Sequence, residues 1–279
     1  MKIGLYVNLK RDIDGRYSKY FIQLMKKRGI EYRIIEANDE VFLDEKFYTR
    51  DEVLDFADFM AVFGGDGTVL GIAVDAARKN MPIFGINVGN LGFLSEIIPD
   101  RMEEALDKIL AQEYFIENRE LIKLTYSDKE FFALNEIILN RTSFGRIIKI
   151  EVLIDGILAD TMRADGLLVS TPTGSTAYSL ASGGPILSPN VKAFIVNSIC
   201  PHSLNTRPMV ISSRSKVTLR SKLTDSDGGI IIVDGKVVDE LHSYEEFNIE
   251  RANANVRFLR IEETNFYNRL LDKMNTWTN

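Results

Sequence analysis

The sequence predicts two domains: an α/β domain with a parallel sheet, then a mostly antiparallel β domain that is a sandwich or a barrel. In residues 1–112, apolar strand-like runs alternate with helical periodicity, which is typical of parallel sheets with helical crossovers. In residues 113–262, short strand-like runs follow one another with turn signals between them. The 279-residue chain can bury two such cores, since 45% of its residues are hydrophobic.

The elements of the first domain are predicted from apolar spacing and from helix boundaries. Gly29 ends the first helix, and Pro99 opens the last one. Strands are predicted at 2–8, 32–35, 59–63 and 82–87, and helices at 17–27, from the loop at 64–67 to about 78, and from 99 to about 111. Residues 37–55 are acidic and irregular, with room for one short helix.

The second domain is predicted from short runs of β-favouring residues. They lie at 119–127, 131–140, 146–154, 157–163, 167–171, 193–199, 208–212, 216–221, 230–234 and 237–242. Asp155-Gly156 and Asp234-Gly235 are typical of two-residue hairpin turns. The chain ends in a predicted helix with Phe266, Leu270, Leu271 and Met274 on one face. We expect residues 263–279 to pack back on the first domain.

Composition excludes several classes of protein. The net charge of −6 argues against a general nucleic-acid binder. Cys200 is the only cysteine and there are two histidines, so disulfides within the chain and zinc sites of cysteine or histidine are not expected. No apolar run is long enough for a membrane span, and the N-terminus is too short and strand-like for a signal peptide. We therefore expect a cytoplasmic protein.

The run Gly64-Gly65-Asp66-Gly67-Thr68 follows a buried strand and precedes a helix. Glycines let backbone amides approach a ligand closely, and a helix N-terminus favours phosphate. A carboxylate at that place needs a task, such as accepting a proton or directing a metal ion. The alternative is an ordinary strand-to-helix turn in which Asp66 bonds its own backbone.

A second glycine loop, at residues 89–92, follows the next predicted strand. Ligands of parallel sheets bind beyond the carboxyl ends of the strands. Both glycine loops lie at such ends, which favours the functional interpretation.

Residues 166–185 carry eight hydroxyl side chains and end in Gly183-Gly184-Pro185. A strand there leads into a tight turn and a short helix near Ser175, which could offer amides and hydroxyls to a sugar or a phosphate. The alternative is a solvated loop. Asn135-Glu136 interrupts an apolar run and must be paired or face a cleft, unless it marks an edge bulge. His202 is predicted to be structural.

Taken together, these stretches resemble the NAD kinase family. The resemblance covers about residues 60–210, in the family's order and approximate spacing. It rests on Gly-Gly-Asp-Gly-Thr at 64–68, Leu-Gly-Phe at 91–93, Asn135-Glu136, Asp165-Gly166, the Ser-Thr-Pro-Thr-Gly-Ser-Thr-Ala-Tyr run at 170–178, Gly-Gly-Pro-Ile at 183–186 and Pro-His-Ser-Leu at 201–204. The Gly-Gly-Asp-Gly motif alone is weak, whereas the run at 170–178 is specific.

The resemblance implies a Rossmann-like N-terminal domain, a sandwich-like β domain and an ATP-dependent NAD 2′-kinase. Asp66 would be the catalytic residue that accepts the proton of the adenosine 2′-hydroxyl. Gly64, Gly65, Gly67 and Thr68 would form the phosphate loop. The NAD-binding residues would be Asp66, Gly67, Phe93, Asn135, Glu136, Arg146, Arg163, Asp165, Thr176, Ala177, Tyr178, Ser179, Ala181 and Lys236.

The same resemblance implies ATP as the phosphoryl donor, with a divalent cation, Mg²⁺, arriving on its phosphates. NAD is then a substrate, and the protein a homodimer or homotetramer that binds neither nucleic acid nor membrane. Two positions depart from the family pattern. Lys236 stands where many members have Gln in an Asp-Gly-Gln turn, and Ala181 stands where Ser is common.

Two other functions remain open at this point. A lipid or other small-molecule kinase could share the Gly-Gly-Asp-Gly loop, although such kinases carry a Gly-Thr-Gly-Asn type loop after the next strand. This chain has Gly89-Asn90-Leu91-Gly92-Phe93 there. A non-catalytic NAD(P)-binding module is the other alternative, but it would not need the acid at Asp66.

Overall fold

The structure, a computed structural model, describes residues 1–36, 41–42, 45–89, 92–142, 147–222, 228–242, 244–262 and 266–277. Its contacts divide the chain into two compact units, Met1–Asn118 with Ala254–Asn279, and Arg119–Asn253. The first unit thus takes up both ends of the chain. The division predicted from sequence assigns residues 113–118 and 254–262 to the β domain instead.

The first unit opens with a parallel sheet and its crossover helices. The strands are β1 (Lys2–Val7), β2 (Glu31–Ile35), β3 (Phe47–Tyr48), β4 (Phe59–Gly64) and β5 (Pro82–Asn87). The helices are α1 (Arg16–Lys27), α2 (Arg50–Phe56), α3 (Asp66–Arg78) and α4 (Met102–Leu110). The sheet order is β5-β4-β1-β2-β3, with every pair parallel.

Burial explains why these segments are strands. Every residue of β5 is buried, and β4 is buried from Met60 to Gly64, as expected of a parallel sheet covered on both faces. The predicted irregular segment contains β3 and α2. Thr49 and Glu52 start α2 with a reciprocal capping box, in which each side chain bonds the other residue's backbone amide.

The second unit is built from short strands. They are β6 (Phe115–Tyr126), β7 (Lys129–Ala133), β8 (Glu136–Arg141), β9 (Ile148–Ile154), β10 (Ile157–Ala164), β11 (Gly166–Ser170), β12 (Ala193–Ile199), β13 (Met209–Ser212), β14 (Val217–Lys222), β15 (Gly229–Val233), β16 (Lys236–Leu241) and β17 (Glu246–Arg260). A short helix, α5 (Tyr178–Ala181), follows β11. The ends of β6 and β17 extend into the first unit.

Two sheets enclose the core of the second unit. One runs β13-β12-β11-β8-β15-β16 with antiparallel pairs, and the other includes the antiparallel series β10-β9-β14-β17. Apolar side chains from both sheets form one buried cluster, such as Leu167 and Phe194 from the first and Val152 and Leu219 from the second. The unit is therefore a sandwich, which decides between the two architectures that the sequence left open.

Both hairpin turns predicted from Asp-Gly pairs are confirmed. Asp155 and Gly156 have φ angles of 51° and 82° between β9 and β10, and Asp234 and Gly235 have φ angles of 45° and 79° between β15 and β16. Positive φ at both central positions is the geometry that this dipeptide favours in a two-residue hairpin.

Two strand predictions are corrected. The strand predicted at 131–140 is broken between β7 and β8, because the amides of Leu134 and Asn135 bond the Asp234 carboxylate instead of a neighbouring strand. The long strand β17 was not predicted, since polar residues such as Glu250 and Asn253 interrupt its alternation.

The last helix, α6 (Phe266–Trp277), belongs to the first unit. The apolar face predicted for it is wrong in part, because Leu271 and Met274 are 59% and 48% exposed. Arg269 is buried instead, since its guanidinium bonds the carbonyl of Phe93 and the carboxylate of Glu96. No helix in the described part of the chain is long and apolar enough to cross a membrane.

Candidate functional site

The glycine loop joins β4 to α3 at the carboxyl edge of the parallel sheet. Gly65 caps the helix, and Asp66 is its first residue. The first amides of a helix have no intrahelical acceptor and carry partial positive charge, so this end of α3 favours an anion. Thr68 accepts a 2.9 Å hydrogen bond from Asn8 Nδ2, which ties the loop to the end of β1. A Cβ on Gly64 would lie 2.2 Å from Thr68 Oγ1, so only glycine permits this approach.

The Asp66 carboxylate is bound by the two residues that follow the second glycine loop rather than by its own turn. Its Oδ2 accepts a hydrogen bond of 2.8 Å from the Phe93 amide, and its Oδ1 one of 3.1 Å from the Leu94 amide. The alternative in which Asp66 bonds its own backbone is therefore not what the structure shows. The side chain stays 29% exposed, so the carboxylate is fixed in direction yet accessible.

A cavity of about 300 Å³ opens beside the carboxylate. Residues of the glycine loop and the two basic side chains of Arg11 and Lys273 contribute to its lining. The full lining is Asn8, Arg11, Gly65, Asp66, Gly67, Thr68, Val88, Gly92 and Lys273. Lys273 of α6 places its Nζ 3.8 Å from Asp66 Oδ2 and 4.4 Å from the centre of the Phe93 ring. Gly92 touches the acid closely, since a Cβ there would lie 1.9 Å from Oδ1.

A second cavity of about 600 Å³ shares Asn8, Gly67 and Thr68 with the first. The remaining lining residues follow β1 and the loop after it: Tyr6, Val7, Leu9 and Lys10. Two cavities thus adjoin the glycine loop, and a basic residue from the β1–α1 segment lines each of them, Arg11 in the first and Lys10 in the second. This arrangement suits a ligand that carries several phosphate groups.

In the second unit, Asp234 organises the segment around Asn135-Glu136. Its carboxylate accepts hydrogen bonds from the amides of Leu134, Asn135 and Glu136 at 2.7, 2.8 and 3.1 Å. The hairpin turn between β15 and β16 therefore holds the break between β7 and β8. Leu134 and Asn135 form a bend held by this carboxylate, and Glu136 begins β8, which pairs with β11 and β15 and is therefore not an edge strand.

Glu136 is buried, and its Oε2 has no hydrogen-bond partner among the described residues. Burial, with a contribution from the nearby Asp234 charge, raises the pKa of Glu136 to about 8. Burial also raises the pKa of Asp234, although the three amides oppose this shift. At neutral pH, Glu136 is thus a largely protonated carboxyl group that can both donate and accept a hydrogen bond.

The hydroxyl-rich turn packs against the same segment. Thr171 Oγ1 donates to the Leu134 carbonyl at 2.6 Å and accepts from the Gly174 amide at 3.1 Å. Ser170 and Ser175 are also fully buried and bond backbone carbonyls. The expectation that the hydroxyls of this run face a ligand is wrong for these three residues, because they bond backbone groups of the turn itself and of Leu134.

The predicted NAD-binding residues that follow the turn differ in exposure. Thr176 and Ala177 are half-buried, whereas Tyr178, Ala181 and Lys236 are exposed. Ser179 is fully buried, and no partner for its hydroxyl is found in the described part of the chain. Tyr178 presents 44% of its surface to solvent.

Two predicted residues lie at the other end of β11. The Asp165 carboxylate forms an ion pair with the Arg141 guanidinium at 2.7 Å. Arg163 is exposed, and its backbone carbonyl accepts a hydrogen bond from the His202 amide. Register places Ser170 opposite Glu136 but Gly166 opposite Asn140, a separation of about 13 Å along the strands. The structure therefore does not bring Arg163 and Asp165 to Asn135 and Glu136. Arg146, and Leu91 of the Leu-Gly-Phe motif, lie outside the described residues.

Sequence reasoning missed four residues of these sites. Arg11 and Lys273 line the cavity at Asp66. Asp234 was assigned only to a hairpin turn, because its partners at 134–136 lie about a hundred residues earlier in the chain. Arg269 was missed because a charged residue of a helix is expected on its solvent face, and its neighbours Asn268 and Leu270 do not mark it as buried.

A glycine-rich helix N-terminus that carries a fixed acid, beside a basic cavity, is typical of enzymes that act on phosphate groups. The model of the ATP-NAD kinase N-terminal domain matches residues 11–114, and that of the ATP-NAD kinase C-terminal domain matches residues 134–261. The chain belongs to the NAD kinase family, and its enzymatic class is that of the phosphotransferases.

Similarity to individual proteins supports the same family. The NAD kinase of Desulforamulus reducens is 40% identical over 286 aligned residues, covering 99% of this chain and 98% of the relative. A crystal structure of an NAD kinase from Archaeoglobus fulgidus in complex with ATP is 26% identical, with a TM-score of 0.78 and coverage of 98% of each chain. A yeast NADH kinase complexed with NADH shares the fold at 21% identity, with a TM-score of 0.87, covering 99% of this chain and 87% of that one.

Proposed function

We propose that this protein transfers the γ-phosphate of ATP to the adenosine 2′-hydroxyl of NAD, giving NADP and ADP. The bond from the 2′-oxygen to the γ-phosphorus forms while the bond from that phosphorus to the β-γ bridging oxygen breaks. The observation that carries the proposal is the fixed, accessible Asp66 carboxylate at the helix N-terminus, in a chain of the NAD kinase family.

Asp66 accepts the proton of the 2′-hydroxyl. A ribose hydroxyl is a weak nucleophile, and a carboxylate within hydrogen-bond reach both orients it and removes its proton as the new bond forms. The two amides of Phe93 and Leu94 hold the carboxylate in one direction. Each carboxylate oxygen keeps a further acceptor position for the substrate.

The phosphate groups are bound by the loop at Gly64–Thr68 and by nearby cations. Phosphoryl transfer depends on positioning and on stabilising charge at the transferring group. The first amides of α3, Arg11 and Lys273 are the groups that this chain offers for that purpose. Their positive charge lies on the same side as the proton acceptor, since all of them line one cavity.

A divalent cation belongs to the proposal as a companion of ATP. The described residues contain no group of three or more His, Cys, Asp or Glu side chains that could hold a metal ion. Asp66 is the acid that lines the cavity, and its oxygens already accept two amides. Mg²⁺ bound to the ATP phosphates would supply further charge neutralisation and polarise the γ-phosphate.

The second unit supplies the groups proposed to bind NAD. Neutral Glu136 and the neighbouring Asn135 offer hydrogen bonds to ribose hydroxyls. Tyr178 offers an exposed ring for packing against a base or sugar, with Thr176 and Ala177 beside it. The remaining predicted contacts, from Gly67, Phe93, Arg146, Arg163, Asp165, Ser179, Ala181 and Lys236, stay part of the proposal.

The test is an assay for NADP. Purified protein is incubated with ATP, Mg²⁺ and NAD, and NADP is measured with an NADP-specific dehydrogenase. Parallel reactions replace NAD with a diacylglycerol or omit ATP. NADP formation that requires ATP supports the proposal. A lipid product without NADP would establish the lipid kinase alternative, and NAD binding without turnover would establish the non-catalytic module.

Three further features stay predictions from the sequence. They are the homodimeric or homotetrameric state, the cytoplasmic location, and an effect of Lys236 on handling of the product 2′-phosphate or of the reduced cofactor. Light scattering of the purified protein measures the first. A comparison of NAD and NADH as substrates for wild type and Lys236→Gln measures the last.

A further inference from the structure

We propose that Arg260 and Arg269, from the C-terminal strand and helix, are positioning residues for Asp66. They act through the turn at Phe93-Leu94, which binds the carboxylate. This inference rests on the proposed function only for its kinetic consequence. The positioning itself is a structural property that can be measured without any activity.

The turn is bound on both of its sides. The amides of Phe93 and Leu94 donate to the two oxygens of Asp66. The carbonyl of Phe93 accepts a 3.1 Å hydrogen bond from Arg269 Nη1, and the carbonyl of Leu94 accepts one of 2.9 Å from Arg260 Nη1. Two cations of the C-terminal segment therefore hold the two residues that hold the acid.

One peptide group links Arg269 to Asp66 directly. The Phe93 carbonyl and the Leu94 amide belong to the same planar peptide unit. A guanidinium on the oxygen polarises that unit and makes its N–H a stronger donor, because hydrogen bonds in a chain strengthen one another. Loss of Arg269 is therefore expected to weaken the bond from Leu94 to Oδ1 as well as to loosen the turn.

The two arginines are fixed by a buried carboxylate. Glu96 Oε2 lies 2.7 Å from Arg269 Nη2 and 3.4 Å from Arg260 Nη1, and Glu96 Oε1 accepts the Ile261 amide. The side chains of Arg260, Glu96 and Arg269 are 3%, 6% and 10% exposed. Arg260 Nε also bonds Glu117 at 2.8 Å. Such a buried network of charge-assisted bonds leaves its members little freedom.

The variant that tests the proposal is Arg269→Met, which keeps an unbranched side chain and removes the bonds to both the Phe93 carbonyl and Glu96. In this variant Glu96 still forms its ion pair with Arg260 and accepts the hydrogen bond from the Ile261 amide, which favours retention of the fold. Arg269→Lys keeps the positive charge on a single ammonium group and should therefore retain part of the positioning of Asp66. Arg101→Gln is the matched control, because Arg101 is a partly exposed arginine of the same unit that pairs with Glu104 and Glu262.

Amide hydrogen exchange measures the positioning without substrates. We expect Arg269→Met to speed exchange of the Phe93 and Leu94 amides by about tenfold or more relative to wild type, with no change in Arg101→Gln. Circular dichroism and thermal unfolding verify that each variant is folded. Unchanged exchange at both amides in a folded variant overturns the proposal. If Arg269→Met does not fold, the same comparison is made with Arg269→Lys.

Kinetics separate positioning from general stability. Loss of a residue that orients a metal ligand typically costs about tenfold to a hundredfold in activity. By analogy, we expect Arg269→Met to lower kcat by this factor with the KM for NAD within about threefold. In the Asp66→Asn background the same change should alter kcat by less than about threefold, because the effect passes through the carboxylate. An equal loss in both backgrounds overturns the proposal. If wild type forms no NADP, the proposed function fails, and hydrogen exchange still decides the positioning.

Discussion

The Phe93 amide donates a 2.8 Å hydrogen bond to Oδ2 of Asp66, although the two residues are 27 positions apart in the chain. This bond joins the glycine loop after β4 to the one after β5. Neither loop alone would fix the acid, since Asp66 has rotatable bonds and α3 presents only backbone amides at its N-terminus. The orientation of the proposed proton acceptor is therefore a property of two adjacent strand ends.

Replacement of the acid tests its role as a base. Asp66→Asn should lower turnover by about a hundredfold or more, the scale of a lost general base, while NAD binding stays within about tenfold. Asparagine has one acceptor oxygen, so one of the two loop amides also loses its partner, at a cost of about 1 kcal/mol in unfolding free energy. Steady-state kinetics and NAD titration measure both effects. Turnover near that of wild type would show that Asp66 is not the base.

The close contact at Gly92 should not tolerate a methyl group. A Cβ there would lie 1.9 Å from Asp66 Oδ1, so Gly92→Ala must displace the carboxylate. We expect turnover to fall by about a hundredfold, comparable to loss of the base itself. Gly67→Ala is the control for folding, because open space surrounds its Cβ position. If Gly92→Ala retained full turnover, the direction of the carboxylate would not matter for the reaction.

Lys273 should contribute charge to the transition state. Its ammonium lies in the cavity with the phosphate loop, where a cation stabilises the transferring phosphoryl group. Lys273→Met should lower kcat by about tenfold or more, and Lys273→Arg should keep much of the activity. Lys108→Met is the control, because Lys108 pairs with Glu104 on α4. Equal activity of Lys273→Met and wild type would remove Lys273 from the mechanism.

Tyr178 is expected to act in binding rather than in chemistry. Tyr178→Ala should raise the KM for NAD by about fivefold to tenfold through lost ring packing, and kcat should change by less than about twofold. Tyr244→Ala removes another exposed tyrosine of the same unit and should have no effect. An unchanged KM in Tyr178→Ala would place the ring outside the NAD site.

The buried Glu136 should make stability depend on pH. Its pKa of about 8 in the folded state lies above the ordinary value of 4.5 that applies after unfolding. Between these values the folded state holds a proton that the unfolded chain releases, so the unfolding free energy falls as pH rises through this window. The slope from this group is at most about 1.4 kcal/mol per pH unit.

Glu136→Gln cannot titrate and should lose this part of the slope. Denaturant unfolding of both proteins from about pH 5 to about pH 8 measures the difference. Asp234, whose pKa burial also raises, contributes in the same direction in both proteins. Identical pH slopes for the two proteins would show that Glu136 does not hold a proton in the folded state.

The sequence could predict the elements that carry a local signal. The strand before Gly64, the helix after Asp66 and both Asp-Gly hairpins follow from apolar runs, glycine and turn chemistry. The run at 170–178 was recognised as special, but the reason lay partly in folding, since Ser170, Thr171 and Ser175 bond the backbone of their own turn and of Leu134.

Contacts between distant parts of the chain could not be predicted in this way. Nothing near Asp234 in the sequence indicates that it binds the amides at 134–136, about a hundred residues earlier. Burial of Arg269 likewise depends on the carbonyl of Phe93, which helical periodicity cannot reveal. Periodicity identifies apolar faces, and it therefore assigned Leu271 and Met274 to the interior in place of a charged residue.

The most direct test of the account is ³¹P nuclear magnetic resonance of a reaction that contains the purified protein, ATP, Mg²⁺ and NAD. We predict that wild type forms a new phosphomonoester on the adenosine 2′-oxygen, in equal amount with ADP. On the same timescale, Asp66→Asn should not form it. ADP without a phosphorylated dinucleotide, or phosphate on another oxygen of NAD, would contradict it.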